Sequence, residues 1–147
     1  MSYQHKVQYY ETDRMGITHH SNYIRIMEEA RGEWMEQMGM SYDTFESLGL
    51  SSPVVSVSCN YKKPTTYNDL IEVNIYIIDC DHLKMRLAYE MTAKGETVAT
   101  ATSVHCFLEA DGRPISLKKH FPEVHAAYKA YEAQQGAIPF KVGCKKS

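Results

Sequence analysis

The fold is decided by residues 23–38, which read YIRIMEEARGEWMEQM. Apolar side chains recur there at intervals of four, three, four and four residues: Tyr23, Met27, Ala30, Trp34 and Met38. This spacing places them on one face of an α-helix, with the charged residues on the other faces. We expect Ser21 or Asn22 to cap the start of this helix and Gly39 to end it.

Four later segments alternate between apolar and polar residues with a period of two: Val55–Tyr61, Ile71–Ile77, Leu83–Met91 and Val98–Cys106. Such alternation predicts strands that bury one face. The connections between these segments are short and rich in turn residues, which predicts that neighbouring strands are antiparallel. One further strand is predicted over Tyr3–Tyr9, and a terminal helix over about residues 120–133.

A single long helix with one apolar stripe must bury that stripe, and a sheet that curls around the helix is the economical way to do so. The sequence therefore predicts an α+β fold in which one antiparallel sheet of about five strands wraps around one long helix. The chain has 147 residues, which is enough for one domain with its own core. We expect that domain to span residues 1–147, with residues 134–147 as an irregular tail.

The composition excludes several classes of function. Sixteen Lys and Arg against eighteen Asp and Glu leave a net charge of −2, which argues against a nucleic-acid partner. No apolar run approaches the about 20 residues that cross a bilayer, and the N-terminus lacks a signal core, so we expect a cytoplasmic protein without a membrane partner. The cysteines Cys59, Cys80, Cys106 and Cys144 form no Cys-x-x-Cys pair, which favours free buried thiols over a zinc or redox site.

The polar stretch before the helix, residues 10–23, reads YETDRMGITHHSNY. It places the carboxylate of Asp13 in a turn just ahead of the helix. A carboxylate can attack a carbonyl or activate water, while unpaired N–H groups at a helix start stabilise the negative charge that develops on the carbonyl oxygen. The stretch therefore suits hydrolysis of an acyl compound, although an isolated Thr-Asp pair more often simply makes a turn.

These residues also carry a resemblance. Thr12-Asp13, Gly16 and His20-Ser21-Asn22-Tyr23, followed by Met27–Arg31 and Trp34, resemble the acyl-CoA thioesterases of the hotdog-fold superfamily, and most of all the 4-hydroxybenzoyl-CoA thioesterase-like branch. A second block, Tyr61–Pro64 with Asp69–Val73, extends the likeness over about residues 3–128. The resemblance implies a hotdog fold and an acyl-CoA thioester hydrolase that releases a free carboxylic acid and coenzyme A. It implies no cofactor, since coenzyme A is part of the substrate.

The resemblance also implies catalytic roles for two residues. Asp13 is the catalytic carboxylate, either as nucleophile or as general base. His20 supplies a main-chain N–H to the thioester oxygen and places its ring nearby, whereas the structural alternative is a histidine that caps its own helix. A metal site with His19 and Glu28 is not expected, because neighbouring residues on a helix do not face the same way.

Four further residues are predicted to bind the substrate. Gly16 gives the loop a backbone shape that approaches the substrate, unless it is an ordinary turn glycine. Tyr23 lines the acyl pocket or belongs to the helix core. Lys62 and Lys63 are the candidate cations for the phosphates of coenzyme A, unless they are merely solvated lysines.

The expected partners are acyl-CoA and further copies of the chain, as a homodimer or homotetramer, because an edge strand of a curled sheet invites pairing. Two other functions stay open. One is a non-catalytic protein that binds acyl-CoA or acyl-carrier protein, and the other is a hotdog dehydratase, which would need a different histidine and acid arrangement. The acyl group itself is not predicted.

Overall fold

The computed structural model describes residues 2–81 and 83–142. Within them the strands are β1 (Tyr3–Lys6), β2 (Val54–Tyr61), β3 (Leu70–Cys80), β4 (Lys84–Ala93) and β5 (Glu96–Cys106). The helices are α1 (Ser21–Gln37), α2 (Tyr42–Ser47), α3 (Leu117–His120) and α4 (Pro122–Gln134), and a short 3-10 turn covers Tyr9–Glu11.

The strands form one five-stranded sheet in the order β1-β3-β4-β5-β2. Every neighbouring pair is antiparallel, and β3, β4 and β5 follow one another as hairpins. The concave face of this sheet packs on α1, and a single core joins the two. The predicted α+β hotdog architecture, an antiparallel sheet wrapped around one long helix, is confirmed.

The buried face of α1 contains four of the five predicted residues, Tyr23, Met27, Ala30 and Trp34, together with Ile26 and Met35. The fifth, Met38, follows the helix as its C-cap and is only partly buried against the core. Small residues of β5 face this helix, because Ala101 lies opposite the core residue Tyr89 on β4. Ala99 and Ala101 are both buried in the core.

The two ends of α1 differ in how well the sequence predicts them. Gly39 ends the helix with a positive φ of 72°, and the N–H of Met40 closes the last turn on Met35 O at 2.9 Å. The start is different: His20 is the N-cap residue and no side chain caps it. The side chain of Asn22, a predicted cap, donates instead to Glu11 O at 2.9 Å, because the preceding loop folds back on the helix.

Three short elements depart from the prediction. β1 stops at Lys6 rather than Tyr9, because the chain turns into the 3-10 turn there. The six-residue α2 was not predicted, and α4 ends at Gln134, one residue later than expected and inside the predicted tail. Residues 135–142 are irregular as predicted, and residues 143–147, with Cys144, lie outside the described residues.

Other sequence predictions concern thiols and membranes. Cys59, Cys80 and Cys106 are free thiols, as predicted. Cys80 is buried as expected, whereas Cys59 and Cys106 are only partly buried. None of the helices in the described part of the chain is long and apolar enough to cross a membrane.

Candidate active site

The loop before α1, the first turn of α1 and the end of β2 enclose a cavity of about 520 Å³. Five of the predicted site residues line it: Asp13, His20, Tyr23, Lys62 and Lys63. Gly16 is not among its lining residues, and Tyr61 is an additional wall. A cavity of this size fits the range of small-molecule sites.

A tight hairpin-like loop carries Asp13. Thr12 and Thr18 form an isolated antiparallel bridge, and the N–H of Asp13 donates to Ile17 O at 2.8 Å. Gly16 makes the reversal possible, since its φ is +78° and its N–H donates to Asp13 O at 2.9 Å. Its own carbonyl accepts the hydroxyl of Thr66 at 2.8 Å, which ties the loop to the segment before β3. Gly16 is thus a turn glycine, and its contact with substrate stays a prediction.

The carboxylate of Asp13 is half-buried at the cavity wall. Its Oδ1 accepts the N–H of Met15 at 2.8 Å, which is an Asx turn. Its Oδ2 has no hydrogen-bond partner among residues 2–81 and 83–142. One oxygen therefore holds the side chain in place and the other is available for chemistry.

The helix start offers one unused main-chain donor. The N–H groups of Asn22 and Tyr23 donate to His19 O and His20 O at 3.0 and 3.2 Å, and that of Ser21 donates to the ring Nδ1 of His19 at 3.2 Å. The N–H of His20 has no acceptor in the part of the chain that the structure describes. Because N–H groups at a helix start carry partial positive charge, this donor can hold an oxyanion.

Tyr61 connects the end of β2 to this helix start. Its hydroxyl donates to His20 O at 3.1 Å, and its ring meets the Tyr23 ring edge to face at 5.2 Å. Partial burial raises the pKa of Tyr61 to about 12, so the hydroxyl stays a donor at neutral pH. The residue was not predicted as part of the site, although the Tyr61–Pro64 block carried part of the family resemblance.

Tyr23 serves both the core and the cavity wall. The side chain is buried, and its hydroxyl is hydrogen-bonded to Thr65 Oγ1 at 2.9 Å, which in turn lies 2.6 Å from Thr18 Oγ1. Burial raises the pKa of Tyr23. Both predicted readings of this residue, pocket wall and helix core, describe its position.

The two candidate lysines lie at the mouth of the cavity. The N–H groups of Lys62 and Lys63 both donate to Val98 O, at 2.8 and 3.1 Å, which fixes their backbone. Lys63 pairs with Glu96 at 2.9 Å, while the Lys62 side chain is exposed and has no ion pair among the described residues. Lys62 is therefore the cation more available to a ligand phosphate.

The sheet, the long helix and this cavity define a hotdog-fold protein with a site at the helix start. The thioesterase-like superfamily profile matches residues 7–131. The chain belongs to this superfamily, so the predicted family and the predicted enzyme class, a thioester hydrolase, are confirmed.

Relatives and solved structures agree with this assignment. A candidate esterase of Aquifex aeolicus is 37% identical over 122 residues, covering 83% of this chain and 94% of the relative. A candidate acyl-CoA thioesterase of Bacillus subtilis is 37% identical over 125 residues, covering 84% and 91%. The crystal structure of a DHNA-CoA thioesterase from Staphylococcus aureus matches with a TM-score of 0.84 and 32% identity, covering 90% of each chain.

Proposed function

We propose that the protein is an acyl-CoA thioesterase in which Asp13 drives hydrolysis and the start of α1 holds the oxyanion. One observation carries this proposal: the free carboxylate oxygen of Asp13 and the free N–H of His20 belong to residues that line the same cavity. The names of the relatives support acyl-CoA as the substrate class.

In the general-base route, Asp13 Oδ2 takes a proton from water, and the water oxygen attacks the thioester carbonyl. The negative charge that forms on the carbonyl oxygen is stabilised by the N–H of His20. Collapse of the tetrahedral intermediate expels the thiolate of coenzyme A, which receives the proton from Asp13. The carboxylic acid leaves and Asp13 is ionised again.

In the nucleophilic route, Asp13 Oδ2 attacks the same carbonyl, expels the thiolate and forms a mixed anhydride that water then cleaves. The two routes are separated by turnover in water labelled with heavy oxygen. A heavy oxygen retained in the Asp13 carboxylate requires the anhydride. Label found only in the released acid, after repeated turnover, favours the general base.

The fixed Asx turn makes Asp13→Asn the decisive variant. An asparagine oxygen keeps the hydrogen bond from the Met15 N–H, so the fold and ligand binding persist while the charge is lost. We expect thiol release from an acyl-CoA panel to fall by roughly 10²- to 10⁴-fold, the range of a lost acid–base group. Asp43→Asn, at an exposed acid of α2, is the matched control and keeps wild-type turnover.

Three other outcomes are informative. Unchanged turnover in Asp13→Asn removes Asp13 from the mechanism. Tight binding of acyl-CoA to the wild type without thiol release favours the non-catalytic binder. Hydration of an enoyl-CoA without thiol release favours the dehydratase.

The cavity mouth suggests how coenzyme A is held. We infer that Lys62, and to a smaller extent Lys63, binds the phosphates, because Lys63 already has a carboxylate partner. Lys62→Gln is expected to raise KM for acyl-CoA several-fold, about 1 kcal/mol for one solvated charge contact, with kcat unchanged. An effect on kcat alone would contradict this assignment.

A further inference from the structure

Glu11 is a buried acid that the mechanism above does not use. It is 6% exposed and directly precedes the Thr12–Thr18 loop that carries Asp13. Its Oε1 lies 2.8 Å from His5 Nε2 and accepts the N–H of Gln8, also at 2.8 Å. A buried carboxylate is costly unless it is paired and hydrogen-bonded, and here both conditions are met.

His5 extends this contact to α1. Its other ring nitrogen, Nδ1, lies 3.3 Å from Glu29 Oε1, and the hydroxyl of Tyr3 donates to the same oxygen at 3.0 Å. We call Tyr3, His5, Glu11 and Glu29 the Glu11 clamp, because they join β1, the 3-10 turn and α1.

The main chain of Glu11 then closes the loop. Its carbonyl oxygen accepts the N–H of His19 at 2.8 Å and the side-chain amide of Asn22 at 2.9 Å. His19 is the residue before the free N–H of His20, and Asn22 lies in the first turn of α1. The two ends of the loop that carries Asp13 are therefore held together at the carbonyl group of Glu11.

We propose that Glu11 is a positioning residue for hydrolysis: the clamp fixes its carbonyl, and that carbonyl fixes the spacing between Asp13 and the His20 N–H. This inference rests on the proposed function. Asp13 follows Glu11 by two residues, so any rotation of the 3-10 turn moves both ends of the site relative to each other. A displacement of about 1 Å can cost about 100-fold in rate while leaving substrate contacts elsewhere intact.

The test compares two substitutions at Glu11 with two controls in the full chain. Glu11→Ala removes both contacts of Oε1, and Glu11→Gln keeps an acceptor for the Gln8 N–H but loses the carboxylate charge beside His5. We expect Glu11→Ala to lower kcat by about 10- to 100-fold with little change in KM, and Glu11→Gln to recover part of the loss. Glu36→Gln, at an exposed acid of α1, controls for the charge change.

A variant that is destabilised far from the site distinguishes a positioning role of Glu11 from a purely structural one. Gln135→Ala removes contacts between the end of α4 and β3, far from the loop in the fold. If kcat in the Glu11 variants falls no further than in Gln135→Ala at matched thermal destabilisation, the positioning role is overturned. An unchanged kcat, or a loss confined to KM, overturns it as well.

Amide hydrogen exchange supplies a second readout that does not depend on turnover. Faster exchange confined to residues 12–20 in Glu11→Ala supports the clamp, and wild-type exchange there overturns it. The proposed function fails separately, because it is decided by Asp13→Asn. Turnover that depends on Asp13 but not on Glu11 leaves the thioesterase assignment intact and removes only the positioning role.

Discussion

His105 is a buried histidine at one end of a chain of hydrogen-bonded side chains beside α1. It is 1% exposed, and its Nε2 lies 2.8 Å from Ser103 Oγ, which is 2.7 Å from the hydroxyl of Tyr89. Arg31 on α1 donates to that hydroxyl at 3.3 Å. Burial first, and the Arg31 charge second, lower the pKa of His105 to about 4. The ring is therefore neutral at physiological pH and is hydrogen-bonded to the Ser103 hydroxyl.

This lowered pKa predicts acid sensitivity. In the unfolded chain His105 takes up a proton near the usual histidine pKa of about 6.5, while in the folded protein its pKa is about 4. Between these two pH values the unfolded state binds more protons than the folded state. The free energy of unfolding is therefore highest above about pH 6.5 and falls by up to about 3 kcal/mol as the pH decreases to 4. Urea unfolding at several pH values measures this slope.

The control is His120→Gln, at an exposed histidine, which keeps the wild-type slope. His105→Gln lowers stability at neutral pH but flattens the pH dependence, because the group that titrates is gone. Equal slopes in the wild type and His105→Gln would show that His105 does not carry the effect.

Three of the predicted residues that line the cavity come from one local stretch, whereas Lys62 and Lys63 come from the separate Tyr61–Pro64 block. Asp13, His20 and Tyr23 lie in the polar stretch or at its helix junction, so their proximity follows from chain connectivity. Glu11 and His5 could not be found in this way. Their contact depends on how β1 lies beside the 3-10 turn, which no periodicity of the sequence encodes.

At the scale of elements, α4 protects a strand edge with side chains. β1 pairs with the Leu70–Val73 end of β3, and beyond that end no strand within residues 2–81 and 83–142 pairs with β3 on the same side. There the side-chain amide of Gln135 accepts from Ile77 N–H at 2.8 Å and donates to Ile77 O at 2.7 Å, and the hydroxyl of Tyr131 donates to Ile75 O at 2.9 Å. Two side chains thus satisfy main-chain groups that a further strand would otherwise pair.

Gln135→Ala is expected to destabilise the fold by about 1 to 3 kcal/mol, because it leaves the partly buried main-chain groups of Ile77 without their partner. Urea unfolding measures the loss. Gln134→Ala, at the exposed neighbouring residue, is the control and changes stability by less than about 0.5 kcal/mol. Equal effects of the two variants would mean that the edge contact contributes nothing specific.

The elements differ in how far the sequence determines them. Strands β3 to β5 and helix α1 are long and strongly periodic, so their patterns predict both their type and the buried face. The short α2 spans fewer than two turns and carries no period to detect. From Gln8 onward the 3-10 turn replaces the predicted strand, because the Glu11 carboxylate accepts the Gln8 N–H. The alternation of apolar and polar residues does not reveal such a contact between a side chain and the backbone.

At the scale of the whole molecule, the two edges of the sheet are treated differently. The β3 side is covered by β1 and by the end of α4, whereas β2 closes the sheet at the other side, where no further strand of the described residues pairs with it. Val54, Val55 and Val57 on this strand are 48%, 52% and 44% exposed. An apolar edge strand left open is a template for pairing with another chain.

We therefore expect the protein to form a homodimer or homotetramer through β2. Light scattering after size exclusion should give a multiple of the 16.8 kDa chain mass. Val57→Lys places a charge on the edge and is expected to shift the protein toward the monomer, while Leu48→Lys, at a comparably exposed residue just after α2, does not. Strand β2 ends at Tyr61, and Tyr61 and the next residue, Lys62, line the cavity. We therefore expect monomers to lose turnover as well. A wild-type protein that remains a monomer at all concentrations would contradict the pairing, and a monomeric variant with full activity would separate assembly from catalysis.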